Sequence, residues 1–205
     1  MVLEFGKVCA SLVMAHTLYW HLFEQDERRL ALYDAVSPLT FHDLSTIVGQ
    51  HVLLQFAKLT DRAQTSGHAN LTTNYILETI PWPNDVREQL GEMNGRLMEF
   101  RAHIEEGRSK RIAHIDLRAQ MEQLESLGGF PKGADSQFIR DLQDFVDIAY
   151  GHLTDGDHIS LHVAMSDDVY LLVRALEKSA LYDQCTTCDQ TTRAIAILDY
   201  EDRNA

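Results

Sequence analysis

Six apolar residues, Val86, Leu90, Met93, Leu97, Phe100 and Ile104, follow one another at steps of four, three, four, three and four. That spacing fits the 3.6-residue turn of an α-helix, because it keeps every apolar side chain on one face. Glu88, Glu92, Arg96 and Glu99 fill the remaining faces. The sequence therefore predicts an amphipathic helix whose apolar side packs into a core. Gly91 and Gly95 within it each cost about 1 kcal/mol relative to alanine. Their spacing of four would let another helix approach closely.

The same three-to-four spacing recurs elsewhere. Val8, Leu12, Ala15, Leu18 and Leu22 predict a long first helix over the opening thirty-odd residues, ended by Pro38. Thr40 with Asp43 reads as a capping box for a second helix running to about Ala63, with Leu44, Ile47, His51, Leu54 and Lys58 recurring along it and Leu53 and Ala57 broadening its apolar side. Asn70 reads as the cap of a short helix through Tyr75 and Ile76, stopped by Pro81-Trp82-Pro83 before Asn84 caps the central helix. After the Gly128-Gly129-Phe130-Pro131 turn, two further helices are predicted, about Ser136 to His152 and Asp168 to Gln184. A short strand fits only around Ile159 to Val163, and neither a hairpin signal nor a repeat stands out. The expected fold class is all-α, an irregular multi-helix bundle.

No Pro, Gly or Ser-rich linker divides the 205 residues, so one domain over 1–205 is expected, with a tail after Cys188 that frays. Hydrophobic residues at 45% exclude wholesale disorder. The apolar stretch Val8 to Ala15 is a poor leader, since Glu4 sits where a basic region belongs, and no apolar run approaches the roughly 20 residues of a membrane span. A cytoplasmic protein with no membrane association is expected. The cysteines Cys9, Cys185 and Cys188 are odd in number and suggest reduced thiols.

A net charge of −13 repels bulk nucleic acid, so any such contact must be local. One segment has the right sign. Gly107 to Arg118 carries Arg108, Lys110, Arg111 and Arg118 against the single acid Asp116, while the chain from Ala119 onward is strongly acidic.

Within that island, Arg108-Ser109-Lys110-Arg111-Ile112-Ala113-His114-Ile115-Asp116 resembles the signature of the HEPN superfamily, whose ribonucleases use an Arg and a His separated by four to six residues. Thirteen Arg and ten His produce roughly two such pairs by chance, and this chain has three. Arg62 with His68 straddles a helix end and a loop, and Arg96 with His103 lies inside the central helix. Arg108 with His114 alone follows a long amphipathic helix in a cationic setting. With Phe56-Ala57-Lys58-Leu59-Thr60-Asp61 and Asn70-Leu71-Thr72 upstream, residues 40 to 120 resemble the abortive-infection AbiU branch most strongly. Ser109 stands where many members place Asn, Asp or His.

The resemblance implies a HEPN-type helical bundle, a metal-independent endoribonuclease without cofactor, a homodimer with a composite cleft, and a role in antiviral defence or as the toxin of a toxin-antitoxin pair. Its substrate would be RNA, and a cognate antitoxin or defence partner is implied. The residues suit that chemistry independently. An imidazole exchanges protons near neutral pH, making His114 the candidate general base or acid. Arg108 offers a permanently charged planar fork for a phosphate, and Ser109, Lys110 and Arg111 are candidate RNA contacts. Six residues of ideal helix turn roughly 600°, which leaves Arg108 and His114 about 120° apart. Either the helix breaks near Gly107 or two chains face one another. The plain alternatives are that these cations answer helix-end carbonyls or Glu105 and Glu106, or that the chain is a catalytically silent HEPN scaffold binding a protein or nucleotide.

His158, His162, Cys185 and Cys188 have local spacings that zinc uses, without a finger-like frame around them. Asp155, Asp157, Asp167 and Asp168 read as a solvated acidic face, since no EF-hand loop is present.

Overall fold

The computed structural model describes residues 1–24, 27–107, 130–154, 156, 158–161 and 166–184. Seven helices and one small hairpin lie among them, and the fold is all-α as the periodicity predicts. The helices are α1 (Val2–Phe23), α2 (Glu27–Val36), α3 (Pro38–Leu59), α4 (Thr73–Thr79), α5 (Asn84–Gly107), α6 (Ala134–Leu153) and α7 (Ser166–Gln184). Strands β1 (Gln64–Thr65) and β2 (His68–Ala69) form the hairpin between α3 and α4. No helix among the described residues is long and apolar enough to cross a membrane.

The chain gathers into two compact units, one of Met1–Ala15 with Gly49–Val163 and one of His16–Val48 with Ala164–Ala205. The first is built on α5 packed along α6. Val86, Leu90, Leu97, Phe100 and Ile104 are all buried, as their spacing demands, together with Phe138, Leu142, Phe145, Val146 and Ala149 of α6. Phe56, Phe100 and Phe138 meet in tilted and edge-on pairs with centroids 4.7–5.0 Å apart, a geometry that sets ring edges against ring faces. Trp82 between the two prolines is buried and donates its indole N–H to the Ile76 carbonyl at 3.0 Å. At Gly6 on α1 an added Cβ would lie 3.2 Å from Ile159 Cδ1, so the missing side chain permits close packing there.

In the second unit Leu22, Tyr33, Val169 and Val173 form a smaller core flanked by Leu18, Phe23, Leu32, Phe41 and Leu176. Tyr33 stacks on Phe41 at 4.1 Å with the rings 7° from parallel. Arg29 donates to the His21 carbonyl. Trp20 is 40% exposed and meets His21 edge-on.

Several sequence expectations are corrected. The first long helix is two, α1 and α2; α2 stops at Val36, just before Pro38 as expected, and Pro38 itself opens α3. Ser37 makes that junction: its N–H donates to Tyr33 O and its carbonyl accepts from Phe41 N. Proline suits the first helical position because its absent N–H would have no partner there anyway. Thr40 consequently lies inside α3, which stops at Leu59 and not Ala63. The cap of α4 is Thr72, whose hydroxyl accepts from Tyr75 N at 3.1 Å, not Asn70. The Ser66-Gly67 pair, with φ of 51° and 82°, makes a two-residue hairpin turn that the residue pattern did not announce. Among the described residues nothing lies within 4 Å of a Cβ added at Gly91 or Gly95. Ile159 to Leu161 form no strand, because the Gln143 side chain takes their backbone groups: its amide donates to Ile159 O at 2.8 Å and its carbonyl accepts from Leu161 N at 2.8 Å. Residues 162–163 of that candidate strand lie outside the described residues.

Candidate functional site

The central helix delivers the chain to the cationic segment. α5 runs to Gly107, and Arg108 is the next residue in sequence. Arg108, Ser109, Lys110, Arg111 and His114 themselves lie outside the described residues, as do His162, Cys185 and Cys188. The structure therefore speaks to the ground from which the segment leaves.

That ground is organised by Arg101, about 1.7 turns before Gly107. Its Nη1 donates to the carbonyls of Ala57 and Thr60 at the end of α3, and its Nη2 lies 3.2 Å from Asp61 Oδ1. Its Nε donates to Glu105 Oε2 at 2.9 Å. The guanidinium is only 14% exposed and spans four acceptors. The last carbonyls of a helix have no partner within it and carry the negative end of its dipole, so a cation is the fitting cap. Thr60 is buried and turns its hydroxyl back to Phe56 O at 2.9 Å.

A neutral network continues from there. Asn74 Nδ2 donates to Asp61 O at 2.9 Å, and Asn94 Nδ2 on α5 donates to Asn74 Oδ1 at 2.9 Å. Asn70 braces the hairpin: its backbone N–H donates to Ala63 O, and its side-chain amide donates to Arg62 O at 2.9 Å and Thr65 Oγ1 at 2.8 Å. The Phe56 to Asp61 and Asn70 to Thr72 stretches thus have local roles as core, helix end, brace and cap.

The two other Arg and His pairs can be placed. Arg96 is held to the buried Asp141 of α6 at 2.8 Å, which pushes the guanidinium further above its ordinary range, and His103 is exposed on the same helix. Arg62 follows α3 and His68 stands in β2, both exposed. Sequence reasoning missed Arg101, Asn74 and the Arg96 to Asp141 pair. Three of the four Arg101 acceptors lie 40 to 44 positions away, so local spacing announces only the Glu105 contact.

Among the described residues no group of three or more His, Cys, Asp or Glu side chains could hold a metal ion. His158, the one described member of the zinc candidates, is exposed with Nδ1 3.7 Å from Asp147 Oδ1. Cys9 is fully buried, and that burial pushes its thiol well above the usual range, away from the reactive thiolate.

A model of the HEPN AbiU2 family matches residues 4–171, most of the chain, and the protein belongs to that family. The match takes in α1 to α6, the start of α7 and the Arg108 to His114 segment. No curated protein and no solved structure matches the chain.

Proposed function

We propose that this HEPN AbiU2 domain is a metal-independent endoribonuclease acting in antiviral defence or as the toxin of a toxin-antitoxin pair. The reading is carried by one observation: the Arg108 and His114 pair falls inside the family match, directly after α5. The ribose 2'-hydroxyl of the RNA attacks its own phosphate, His114 takes or returns a proton, and the O5' leaves, giving a 2',3'-cyclic phosphate. Arg108 holds two phosphate oxygens as charge develops on them. Ser109, Lys110 and Arg111 contact the strand. Two chains facing one another bring two such segments to one composite cleft, which relieves the mismatch of about 120° on a single ideal helix.

The test is cleavage of total cellular RNA by purified protein in excess EDTA, comparing the parent with Arg108→Ala and His114→Ala. The parent is expected to cut and both variants to lose activity by at least about a hundredfold. Equal cutting by all three, or none by the parent, rejects the ribonuclease. Ser109, in place of the more usual Asn, Asp or His, favours a second reading, a silent scaffold for a protein or nucleotide. Ser109→Asn creating activity in an inactive parent would identify it.

A further inference from the structure

The hairpin Gln64–Ala69 is a structure without a core of its own. All four of its strand residues are exposed, and so are Ser66 and Gly67 of the turn. Ser66 nonetheless adopts a φ of 51°, in the left-handed region that disfavours a non-glycine residue. Three hydrogen bonds from Asn70 hold the hairpin in shape. Ordering an exposed segment this way gains almost no apolar burial, so packing does not account for it.

Charge supplies a reason. Lys58, Arg62 and His68 at and beside this hairpin are exposed, and their side chains have no partner among the described residues. Asp61, the single acid from Lys58 to Ala69, lies 3.2 Å from the Arg101 guanidinium. Two cations elsewhere in this unit are answered, Lys7 by Glu4 and Arg96 by Asp141, whereas Lys58 and Arg62 stand four residues apart beside a third exposed donor, His68. Arg101 also fixes where this surface lies. It joins the end of α3, from which the hairpin springs, to α5 about 9 Å of helix rise before Gly107. The cationic segment starts at the very next residue.

We propose that the hairpin, with Lys58 and Arg62 at its foot, is a second RNA-binding surface that holds the backbone of the strand cut at the Arg108 to His114 segment. Lys58 and Arg62 bind phosphates, and the His68 ring donates to a phosphate or stacks on an unpaired base. This rests on the ribonuclease reading for the strand's fate, and on the hairpin alone for its binding.

The experiment uses the full chain carrying His114→Ala, which leaves uncut RNA, and measures its affinity for a fluorescent single-stranded RNA across a salt series. Lys58→Ala with Arg62→Ala is expected to weaken binding on the order of tenfold and to flatten the salt slope by about 1.4, roughly 0.7 for each phosphate that is no longer neutralised. Lys58→Arg with Arg62→Lys should restore both. Arg87→Ala, an exposed cation at the other end of α5, controls for net charge. Unchanged binding in the double variant, an equal loss in Arg87→Ala, or no RNA binding at all overturns the proposal. The two readings separate cleanly. A parent that cuts RNA while the double variant binds normally loses the hairpin surface alone. A parent that does not cut, while the double variant loses binding, loses the ribonuclease alone.

Discussion

In the first unit three phenylalanines from three helices close on one another, and the Arg101 guanidinium and the Trp82 indole find backbone or carboxylate acceptors. In the second unit Leu39, Leu44, Ile47, Tyr170, Leu171 and Leu172 stand exposed, Leu39 at 79%. The Tyr33 hydroxyl and Arg174 Nε there are buried without a partner among the described residues, as is Asn94 Oδ1 in the first unit. Both units are made of helices with apolar faces. They differ in how many of those side chains are covered. Helical spacing announces an apolar face equally in both, so spacing alone does not say which face is a core.

The sharpest break of this comparison is a pair of substitutions. Phe138→Ala, in the three-ring cluster, should cost about 3–5 kcal/mol through a cavity that rigid neighbours cannot fill. Ile47→Ser on the exposed face should stay within about 0.5 kcal/mol. Urea midpoints measure both, and similar losses would dissolve the distinction between the units.

Next in size is Arg101→Ala, expected to cost about 1–3 kcal/mol because it leaves the end of α3 and Asp61 without their donor. Arg101→Lys should recover only part, since an ammonium cannot span acceptors that a planar fork reaches. Full recovery would mean that charge alone matters there.

The smallest effect is at Tyr33. Burial, and then the nearby Glu177, raise its phenol above 10.0, while Arg29 acts in the opposite sense. A raised folded value means the stability is present below the unfolded value and is lost as pH climbs through the folded one. Tyr33→Phe should therefore change stability by less than about 0.5 kcal/mol at neutral pH and flatten the decline above about pH 10. A steeper decline in the variant would contradict burial as the cause.

The sequence was most legible where the pattern was long. The steps from Val86 to Ile104 name the buried side of α5 correctly, with Met93 alone half-buried, and α6 and α7 start within two residues of expectation. Junctions were less legible. Pro38 stands where one helix ends and the next begins, and the bonds of Ser37 join the two roles. Asn70 and Thr72 are both capping residue types two positions apart, and the hairpin claims Asn70. The glycine pair on α5 follows a close-packing pattern, but among the described residues nothing lies within 4 Å of an added Cβ there. For the candidate site, residue type and spacing nominate Arg108 and His114, whereas nothing local nominates Arg101, since its role exists only once α3 and α5 meet. The candidate segment itself falls outside the described residues and inside the family match.

Trp82 and Trp20, the two tryptophans of the chain, fall one to each unit. The first is sealed with its N–H bonded, the second is open to water. The protein thereby carries its own pair of optical probes. Emission from the sealed indole should shift to the red as the first unit opens, and that from the open indole should shift little. Trp20→Phe and Trp82→Phe proteins would each report a single colour, so the melting of one unit can be followed without the other and with no dye attached.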